Sequence, residues 1–188
     1  MPSLSREIFD SLEFDAAASG DHEAAAREMT RLATIGTETA GMPRAEAFLR
    51  TADQWLLADE PAEAVDWFHR ALADGGPVSV DPRVGLARAL FQLGRQREAQ
   101  DLMHNLKAEG PTDPRTCDLA AELFVDRGDL AGALDWATTG VELCLAAGRD
   151  AGSGAEHPEL RLLLRLRFRV RNDLGLPEDR YDALLDEA

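Results

Sequence analysis

Five arginines fall within one fifteen-residue stretch near the end of the chain, ELRLLLRLRFRVRND at 159–173. A guanidinium binds a carboxylate or a phosphate through a planar fork of donors, so this stretch is the first candidate for an anion-binding site. At 100° per residue, Arg161, Arg165 and Arg169 lie on one stripe of a helix, with leucines on either side. The stripe predicts a wall that binds a carboxylate or an acidic peptide, unless acids of the same chain neutralise it.

The excess of acidic residues favours pairing of these arginines with acids of the same chain. The chain has 35 acidic residues against 20 basic ones, which gives a formal net charge of −15. Acids on the preceding predicted helices are available as partners, among them Asp118, Glu122 and Asp126. Two alternatives therefore stay open for the arginine helix over 159–171, which either binds a ligand or pairs internally.

The end of the chain carries the opposite charge. Its last eleven residues, EDRYDALLDEA at 178–188, hold five acids and one arginine. A polar cap suits the end of a stack of helices, and Tyr181, Leu184 and Leu185 would then dock inward. The same acidic tail could instead fold back over the arginine helix and cover it.

Residues that are typical of catalysis are scattered along the chain. The four histidines fall on different predicted segments, at His22, His69, His104 and His157. No metalloprotease, serine hydrolase, phosphate-loop or dinucleotide-binding motif occurs, and the run GRDAGSG has no preceding strand and no lysine for a phosphate. The sequence therefore predicts no enzyme activity, no catalytic residue and no cofactor.

The two cysteines, Cys117 and Cys144, fall inside predicted helices and have no nearby histidine. Buried free thiols fit this placement better than a disulfide framework or a zinc site, so no metal is expected. The first residues lack the basic start and the apolar core of a signal peptide. No apolar run approaches the roughly 20 residues of a membrane span. We therefore expect a cytoplasmic protein.

Composition narrows the class of partner and of fold. A strongly acidic protein repels nucleic acid and anionic membranes, so neither is an expected partner. Lys107 is the only lysine among the 20 basic residues, a bias that indicates a GC-rich and hence bacterial coding sequence. The apolar share is 45%, the aromatic share only 6%, and β-branched residues are sparse beside Ala and Leu, which favours helix over sheet.

The helices that must position these residues are visible as apolar stripes at helical spacing. Between 83 and 111, one stripe of leucines stops at Gly94, and a second stripe runs from Ala99 to Leu106. Two short helices joined by a tight turn form a hairpin that is too small to bury its own apolar sides. Copies of this hairpin must therefore stack on either side of it.

The copies are found by their turns. Five turn residues occupy the same place in five predicted helix pairs, and they are Gly20, Asp59, Gly94, Gly128 and Gly175. Five residues after each of the first four stands an alanine, whose small side chain lets two helices cross closely. The predicted hairpins cover about 4–36, 43–76, 82–110, 114–147 and 158–186, with a linker-like run at 148–157.

This pattern resembles the tetratricopeptide repeat (TPR), a helix–turn–helix unit of 34 residues that ends near a proline. The alanine after the turn, the spacings of 35 and 34 between the inner turns and the closing Pro77 and Pro111 carry the resemblance, which is closest over 44–146. The family's aromatic positions in the first helix are not consistently kept. The resemblance implies an all-α fold, a right-handed α-α superhelix of about five hairpins that forms a single domain over 1–188.

The resemblance also implies which residues meet a partner, since the first helix of each TPR pair lines the concave face. The residues predicted to point inward there are Leu49, Asp53, Arg88, Phe91, Arg115 and Glu122, continued by Arg161, Arg165 and Arg169. TPR proteins that grip a C-terminal carboxylate use Lys and Asn on the first two inner helices. Asp10 and Phe14 stand on the first of them here, so that activity does not carry over.

The sequence thus predicts a non-enzymatic protein-interaction scaffold that binds a peptide or a partner helix in its concave groove. The arginine stripe makes an acidic segment one candidate for that partner. The alternative is a self-associating structural or regulatory protein, a homodimer with no ligand in the groove.

Overall fold

The computed structural model describes residues 4–35, 39–150 and 158–185. Within these residues the protein is all-α, as predicted, with nine α-helices, one short 3₁₀ helix and two strands of two residues each. The α-helices are α1 (Arg6–Ser19), α2 (His22–Ile35), α3 (Arg44–Leu57), α4 (Pro61–Asp74), α5 (Pro82–Gln92), α6 (Gln96–Glu109), α7 (Pro114–Asp126), α8 (Leu130–Asp150) and α9 (Pro158–Asp173).

The chain divides into two compact units, Met1–Leu106 (unit 1) and Lys107–Ala188 (unit 2). In unit 1, α1 pairs with α2 and α3 pairs with α4, and the hairpins are joined by packing of α2 on α3 and of α4 on α5. In unit 2, α7 pairs with α8, and α9 packs on both of them. Each unit is therefore a stack of helices that are neighbours in sequence. The expectation of a single domain over 1–188 stays a prediction.

The hairpins turn at residues with positive φ. These are the five residues identified by spacing, with φ of 77° at Gly20, 60° at Asp59, 75° at Gly94, 73° at Gly128 and 66° at Gly175. At Gly94, for example, the glycine N–H donates to the Phe91 carbonyl at 3.1 Å and the next N–H donates to the Leu90 carbonyl at 2.9 Å. This pair of bonds ends one helix and lets the next begin within two residues.

A short parallel ladder ties the first helix to the loop before α3. Strand β1 (Leu4–Ser5) pairs with β2 (Thr39–Ala40) in the register Leu4 to Thr39 and Ser5 to Ala40. The helix predicted from residue 4 begins at Arg6 instead, because residues 4 and 5 are extended to make this ladder. Apolar periodicity carries no information on such a pairing, since it is set by partners 35 residues away.

Two helices begin with an aspartate cap that is followed by a proline. The side chain of Asp81 accepts a hydrogen bond from the Arg83 N–H, and Pro82 occupies the first helical position of α5. Asp113 does the same at the start of α7, accepting from the N–H of Thr116 at 2.9 Å. An aspartate cap satisfies N–H groups that have no partner within the helix, and proline has no N–H to lose there.

Small residues allow the close crossings within each unit. In unit 1, Ala25 of α2 and Ala64 of α4 are 6% and 0% exposed, and both stand five residues after a turn. The larger core side chains fill the spaces between, among them Phe9, Met29 and Phe68, each with no exposed surface. The alanines predicted from spacing therefore lie where neighbouring helices meet.

In unit 2 the closest approach is at Gly140 of α8. A Cβ at this position would lie 2.7 and 2.8 Å from the two Cδ atoms of Leu163 and 2.9 Å from Cys117 Cβ. The core beside it consists of Val141, Cys144, Leu163, Leu164 and Tyr181. TPR units carry an alanine at the place of Gly140. Here even a methyl group is too large, because α7 and α9 both press against this point.

The C-terminal elements differ from the expected boundaries. The linker-like run was expected to start at 148, whereas α8 continues to Asp150, since no proline or capping residue stops it earlier. The rest of that run, 151–157, lies outside the described residues. After α9, the second helix of the last predicted hairpin is a 3₁₀ helix of four residues, Asp182–Leu185. Among the described helices, none combines the length and the apolar composition that a membrane crossing needs.

We expect Gly140→Ala to destabilise the protein by about 1–3 kcal/mol, because the added methyl group overpacks the contact with Leu163 and Cys117. Gly148→Ala, in the same helix with open space around its Cβ position, is the matched control. It should be neutral or stabilising by about 0.5–1 kcal/mol through helix propensity. Urea unfolding of both variants measures the difference. Equal effects at the two positions would contradict the close packing at Gly140.

Candidate functional site

In unit 1, Arg50 of α3 joins the first helices of two hairpins. Its Nε donates to Glu13 Oε1 at 2.7 Å, and its Nη2 donates to Glu13 Oε2 at 2.6 Å. Nη2 also bonds to Asp10 Oδ1 at 2.6 Å, and the ring of Phe9 lies 5.6 Å from the guanidinium carbon. The Arg50 side chain is only 11% exposed, so these charge-assisted bonds fix α1 against α3.

Asp53, one of the predicted partner-binding residues, lies one turn along α3 from Arg50 and is half-buried. Burial, reinforced by the carboxylates of Glu13 and Glu46, raises the pKa of Asp53 to about 7. The positive charges of Arg88 and Arg50 act in the opposite direction. Near neutral pH this carboxyl group therefore exists in both protonation states.

Glu46 of α3 is a buried acid that sequence reasoning missed. It is 6% exposed, and its Oε2 accepts a hydrogen bond from the backbone N–H of Ser79 at 2.7 Å. This bond ties the loop between α4 and α5 to α3. No motif marks such a residue, because a glutamate in the first turn of a helix is ordinary on an exposed surface.

Exposed apolar side chains accompany these charges on the first helices of unit 1. Phe14 stands one turn after Asp10 on α1 and is 74% exposed, and Leu57 stands one turn after Asp53 on α3 and is 59% exposed. The predicted contact residue Leu49 is only 2% exposed. Its side chain is part of the core and offers no surface to a partner.

Arg88 and Phe91 of α5 are both half-buried, and both make contacts within the protein. Arg88 is close enough to Asp53 for its charge to lower the pKa of that carboxyl group. The structure therefore brings together two of the residues predicted from sequence, on neighbouring first helices. We call the set of Asp10, Phe14, Asp53, Leu57, Arg88 and Phe91 the α1–α3–α5 face.

In unit 2, the predicted residues Arg115 and Glu122 are exposed on α7, on either side of the half-buried Asp118. Burial raises the pKa of Asp118, and the carboxylates of Glu122 and Glu159 raise it further. Arg115 opposes this shift. Glu159 belongs to α9, so a charge at the start of α9 acts on the carboxyl group of Asp118 on α7.

The arginines of α9 lie on two different sides of the helix. Arg161, Arg165 and Arg169, the stripe predicted from sequence, are exposed. Arg167 is 3% exposed and points to the opposite side, where Arg171 lies one turn further on. Among the described residues, the ion pairs observed on α9 join Arg167 and Arg171 to Asp179 and Asp182, and Asp118 and Glu122 take part in none of them.

The C-terminal segment 177–185 packs along this second side of α9. Arg167 Nη1 donates to Asp179 Oδ1 at 3.0 Å and lies 3.3 Å from Asp182 Oδ1, and Arg171 Nη1 lies 3.0 Å from Asp179 Oδ2. These arginines hold the pKa of Asp179 at about 2. The tail thus folds back on the arginine helix, but on Arg167 and Arg171 instead of the predicted stripe.

Tyr181 anchors the same segment as a cap. It is 7% exposed, its hydroxyl donates to Glu142 Oε1 at 2.7 Å, and the Arg167 guanidinium lies 4.7 Å from its ring centre. Leu184 and Leu185 pack against the unit 2 core, as the cap hypothesis expects. A cavity of about 520 Å³ remains beside the cap, lined by Glu142, Leu145, Arg180, Tyr181 and Leu184.

A second cavity, of about 570 Å³, lies in unit 1 between α2, α3 and α4. Arg44 on its wall lies 3.5 Å from Asp74 and stacks over Phe48 at 5.0 Å. Arg70 stacks over Trp67 at 4.3 Å. The arginines of this cavity thus pack on aromatic rings, and none of the predicted partner-binding residues lines it.

The side chains with metal-binding or nucleophilic potential are dispersed. Among the described residues, no group of three or more His, Cys, Asp and Glu side chains could hold a metal ion. Cys117 and Cys144 are buried free thiols, and burial raises the pKa of Cys117 to about 12 and of Cys144 to about 11. At neutral pH both are therefore protonated and weakly nucleophilic.

Two solved structures have a fold similar to that of this chain. One is a point-substituted form of a Podosopora anserina protein described as a kinesin light chain with nearly identical TPR-like repeats. It has a TM-score of 0.59 and 18% sequence identity over 97% of this chain and 91% of that chain. The form without the substitution gives a TM-score of 0.57 and 18% identity over 90% of this chain and 86% of that one.

The resemblance to TPR proteins is thus confirmed at the level of the fold, which is an all-α, TPR-like helical repeat. At 18% identity the likeness carries the fold alone. No protein-family model matches the sequence, and no curated protein matches it.

We expect Asp53→Asn to stabilise the protein more at pH 8 than at pH 5. The folded-state pKa of about 7 exceeds the usual 3.8, so folding carries the full cost of the charged group above pH 7. As the pH falls below 7, the folded protein takes up the proton first and this cost fades. With an allowance for solvent screening, the gain should be about 1–2 kcal/mol at pH 8 and less than half of that at pH 5.

Urea unfolding at the two pH values measures this gain. Asp66→Asn, at an exposed position on α4, is the matched control and should show no such difference between the two pH values. A gain in stability from Asp53→Asn that is equal at pH 5 and pH 8 would contradict the raised pKa of the Asp53 carboxyl group.

Proposed function

We propose that this protein is a non-enzymatic protein-interaction scaffold, which holds a peptide or a partner helix against the α1–α3–α5 face of unit 1. The observation that carries the proposal is the 74% exposure of Phe14, on a helix whose neighbouring positions are charged. A phenylalanine that is this exposed to solvent on a well-packed helix is typical of a binding anchor, since aromatic side chains dominate the energetics of protein interfaces.

The surroundings of Phe14 support a binding role. Leu57, 59% exposed, offers a second apolar contact on the neighbouring first helix. Covering most of the Phe14 side chain would contribute about 2 kcal/mol, so two such anchors supply a useful part of a micromolar affinity. The half-buried Asp53 and Arg88 add polar groups that would fix the orientation and register of a bound segment.

The face is also held rigid, which lowers the entropic cost of binding. Arg50 ties α1 to α3 through Glu13 and Asp10, and Glu46 ties α3 to the loop that precedes α5. The three first helices therefore present their side chains at fixed spacings. A partner would find Phe14 and Leu57 already in place.

The rest of the site chemistry supports a scaffold in preference to an enzyme. The titratable group with a pKa near neutrality on this face, Asp53, has carboxylates and arginines around it. The thiols of Cys117 and Cys144 are buried and protonated. We further propose a cytoplasmic, bacterial setting and a protein partner in place of nucleic acid or a membrane, on the support of the −15 net charge and the near absence of lysine.

Self-association is the second candidate function, because an exposed Phe14 could equally be covered by another copy of the chain. A homodimer formed through this face would leave no ligand in the groove. Multi-angle light scattering separates the two candidates. The scaffold proposal expects a monomer of 20.5 kDa, whereas self-association expects twice that mass.

We expect the double variant Phe14→Ala, Leu57→Ala to lose at least tenfold in affinity for a groove partner while its unfolding free energy changes little. Ile35→Ala, which removes a 52% exposed side chain on the second helix α2, is the control and should bind as the unaltered protein does. Partners captured by the immobilised full chain are quantified for all three proteins, and affinities are then measured with each purified partner.

The outcomes separate cleanly. A partner lost by the double variant and kept by the control supports the scaffold. If the unaltered chain is a dimer and the double variant is a monomer, the result supports self-association in place of the scaffold function. Capture that is equal for all three proteins would refute a role for this face.

A further inference from the structure

Helix α9 presents a second, chemically different surface in unit 2. Arg161, Arg165 and Arg169 follow one another at intervals of four residues, and all three are exposed. At 1.5 Å per residue their Cα atoms span roughly 12 Å along the helix. Within residues 4–35, 39–150 and 158–185, none of the three makes an ion pair or a hydrogen bond.

A row of three like charges at this spacing is unfavourable, because arginines four residues apart on a helix repel one another. The chain has acids in excess, 35 against 20 basic residues, so neutralising partners are not scarce. Several other arginines of the protein are neutralised, and Arg50, Arg167 and Arg171 each contact two acids. The exposed row differs from these paired arginines in placing three guanidinium groups in succession along one side of a helix.

The opposite side of the same helix shows how arginines at this spacing bind an acidic segment. Arg167 and Arg171 are also four residues apart, and between them they hold Asp179 and Asp182, which are three apart. The Arg171 atoms lie 3.0 Å from Asp179 Oδ2 and 3.3 Å from Asp182 Oδ2. One pair of arginines thus binds two carboxylates of a turn or a helix.

The exposed row continues into an apolar contact. Leu162 is 55% exposed and lies beside Arg169 on the helical wheel, so the open arc of α9 is about 100° wide and includes one large apolar side chain. The acidic segment 179–185 likewise combines charged residues with leucines, but its charges are mostly of the opposite sign. Charge and apolar surface together fit a protein segment, because binding of single-stranded nucleic acid usually relies on exposed aromatic rings.

We propose that the exposed face of α9, formed by Arg161, Leu162, Arg165 and Arg169, binds an acidic segment of a partner protein whose carboxylates are three or four residues apart. Each pair of neighbouring arginines holds two carboxylates, in the arrangement that Arg167 and Arg171 make with Asp179 and Asp182. The leucine covers an apolar side chain of the segment. This site shares no residue with the α1–α3–α5 face, so either can fail without the other.

The test uses the full chain and a labelled synthetic peptide of twelve residues, with Asp or Glu at every third or fourth position and one leucine. A second peptide carries Asn and Gln in place of the acids. The variant is Arg161→Gln, Arg165→Gln, Arg169→Gln. Its charge-matched control is Arg6→Gln, Arg27→Gln, Arg97→Gln, at exposed positions of unit 1.

Fluorescence anisotropy at low and at moderate salt measures the affinities. We expect the unaltered protein to bind the acidic peptide at least tenfold more tightly than the amide peptide. The triple α9 variant should lose at least tenfold, and the control should stay within about twofold. Arg165→Lys with Arg169→Lys keeps the charge without the guanidinium fork, and it should lose an intermediate amount.

Three results would overturn the proposal. The first is an acidic peptide that fails to bind the unaltered protein, or binds the triple α9 variant within twofold as tightly. The second is a single-stranded oligonucleotide of equal length that binds more tightly than the peptide and is lost in that variant. The third is a dimer in light scattering that becomes a monomer on the triple substitution, which would assign the face to self-association. Circular dichroism of each variant confirms that it is folded.

Discussion

Every hairpin of this protein depends on a single backbone conformation, the positive φ at the residue that ends its first helix. Gly20, Gly94, Gly128 and Gly175 adopt it without cost, and Asp59 adopts it as the one non-glycine among the described residues. After the turns at Gly20, Asp59, Gly94 and Gly128, the next helix starts within two residues and must lie back against the first. The alanine five residues later then decides how closely the two axes can approach. The stack of hairpins in each unit follows from these two positions.

The protein's excess of acids makes each arginine a potential tie between elements. Arg50 joins α1 to α3, and Arg167 with Arg171 joins α9 to the C-terminal segment. Each tie buries a guanidinium between two carboxylates, a geometry that compensates for the loss of hydration. Such ties hold helices rigid, and rigid helices are what an interaction surface requires. The arginines on the exposed face of α9 lie outside these ties, and we propose that they bind another protein.

The two proposed surfaces have different physical characters. The α1–α3–α5 face has two open apolar side chains, one of which is Phe14, with charged groups whose fields act on Asp53. The α9 face is a cationic row with one leucine. Apolar anchors contribute affinity that salt does not screen, whereas the arginine row gives an affinity that falls as salt rises. Salt dependence alone therefore tells which surface a given partner uses.

The helices, the turns and the repeat could be predicted from the sequence, because each depends on residues within one 34-residue unit. Apolar spacing, the glycines at the turns and the alanines after them are local signals, and they were sufficient for the all-α, TPR-like fold. The sequence also placed Asp53 and Arg88 on neighbouring first helices. The polar contacts between distant residues depend on the packing of the helices. Arg50 pairs with Glu13, 37 residues away, Glu46 bonds to the loop at Ser79, and the acidic tail pairs with Arg167 in place of the predicted stripe. The same packing buries Leu49 and leaves Phe14 exposed to solvent. These outcomes depend on the distance and rotation between packed helices, which the periodicity of one helix does not contain.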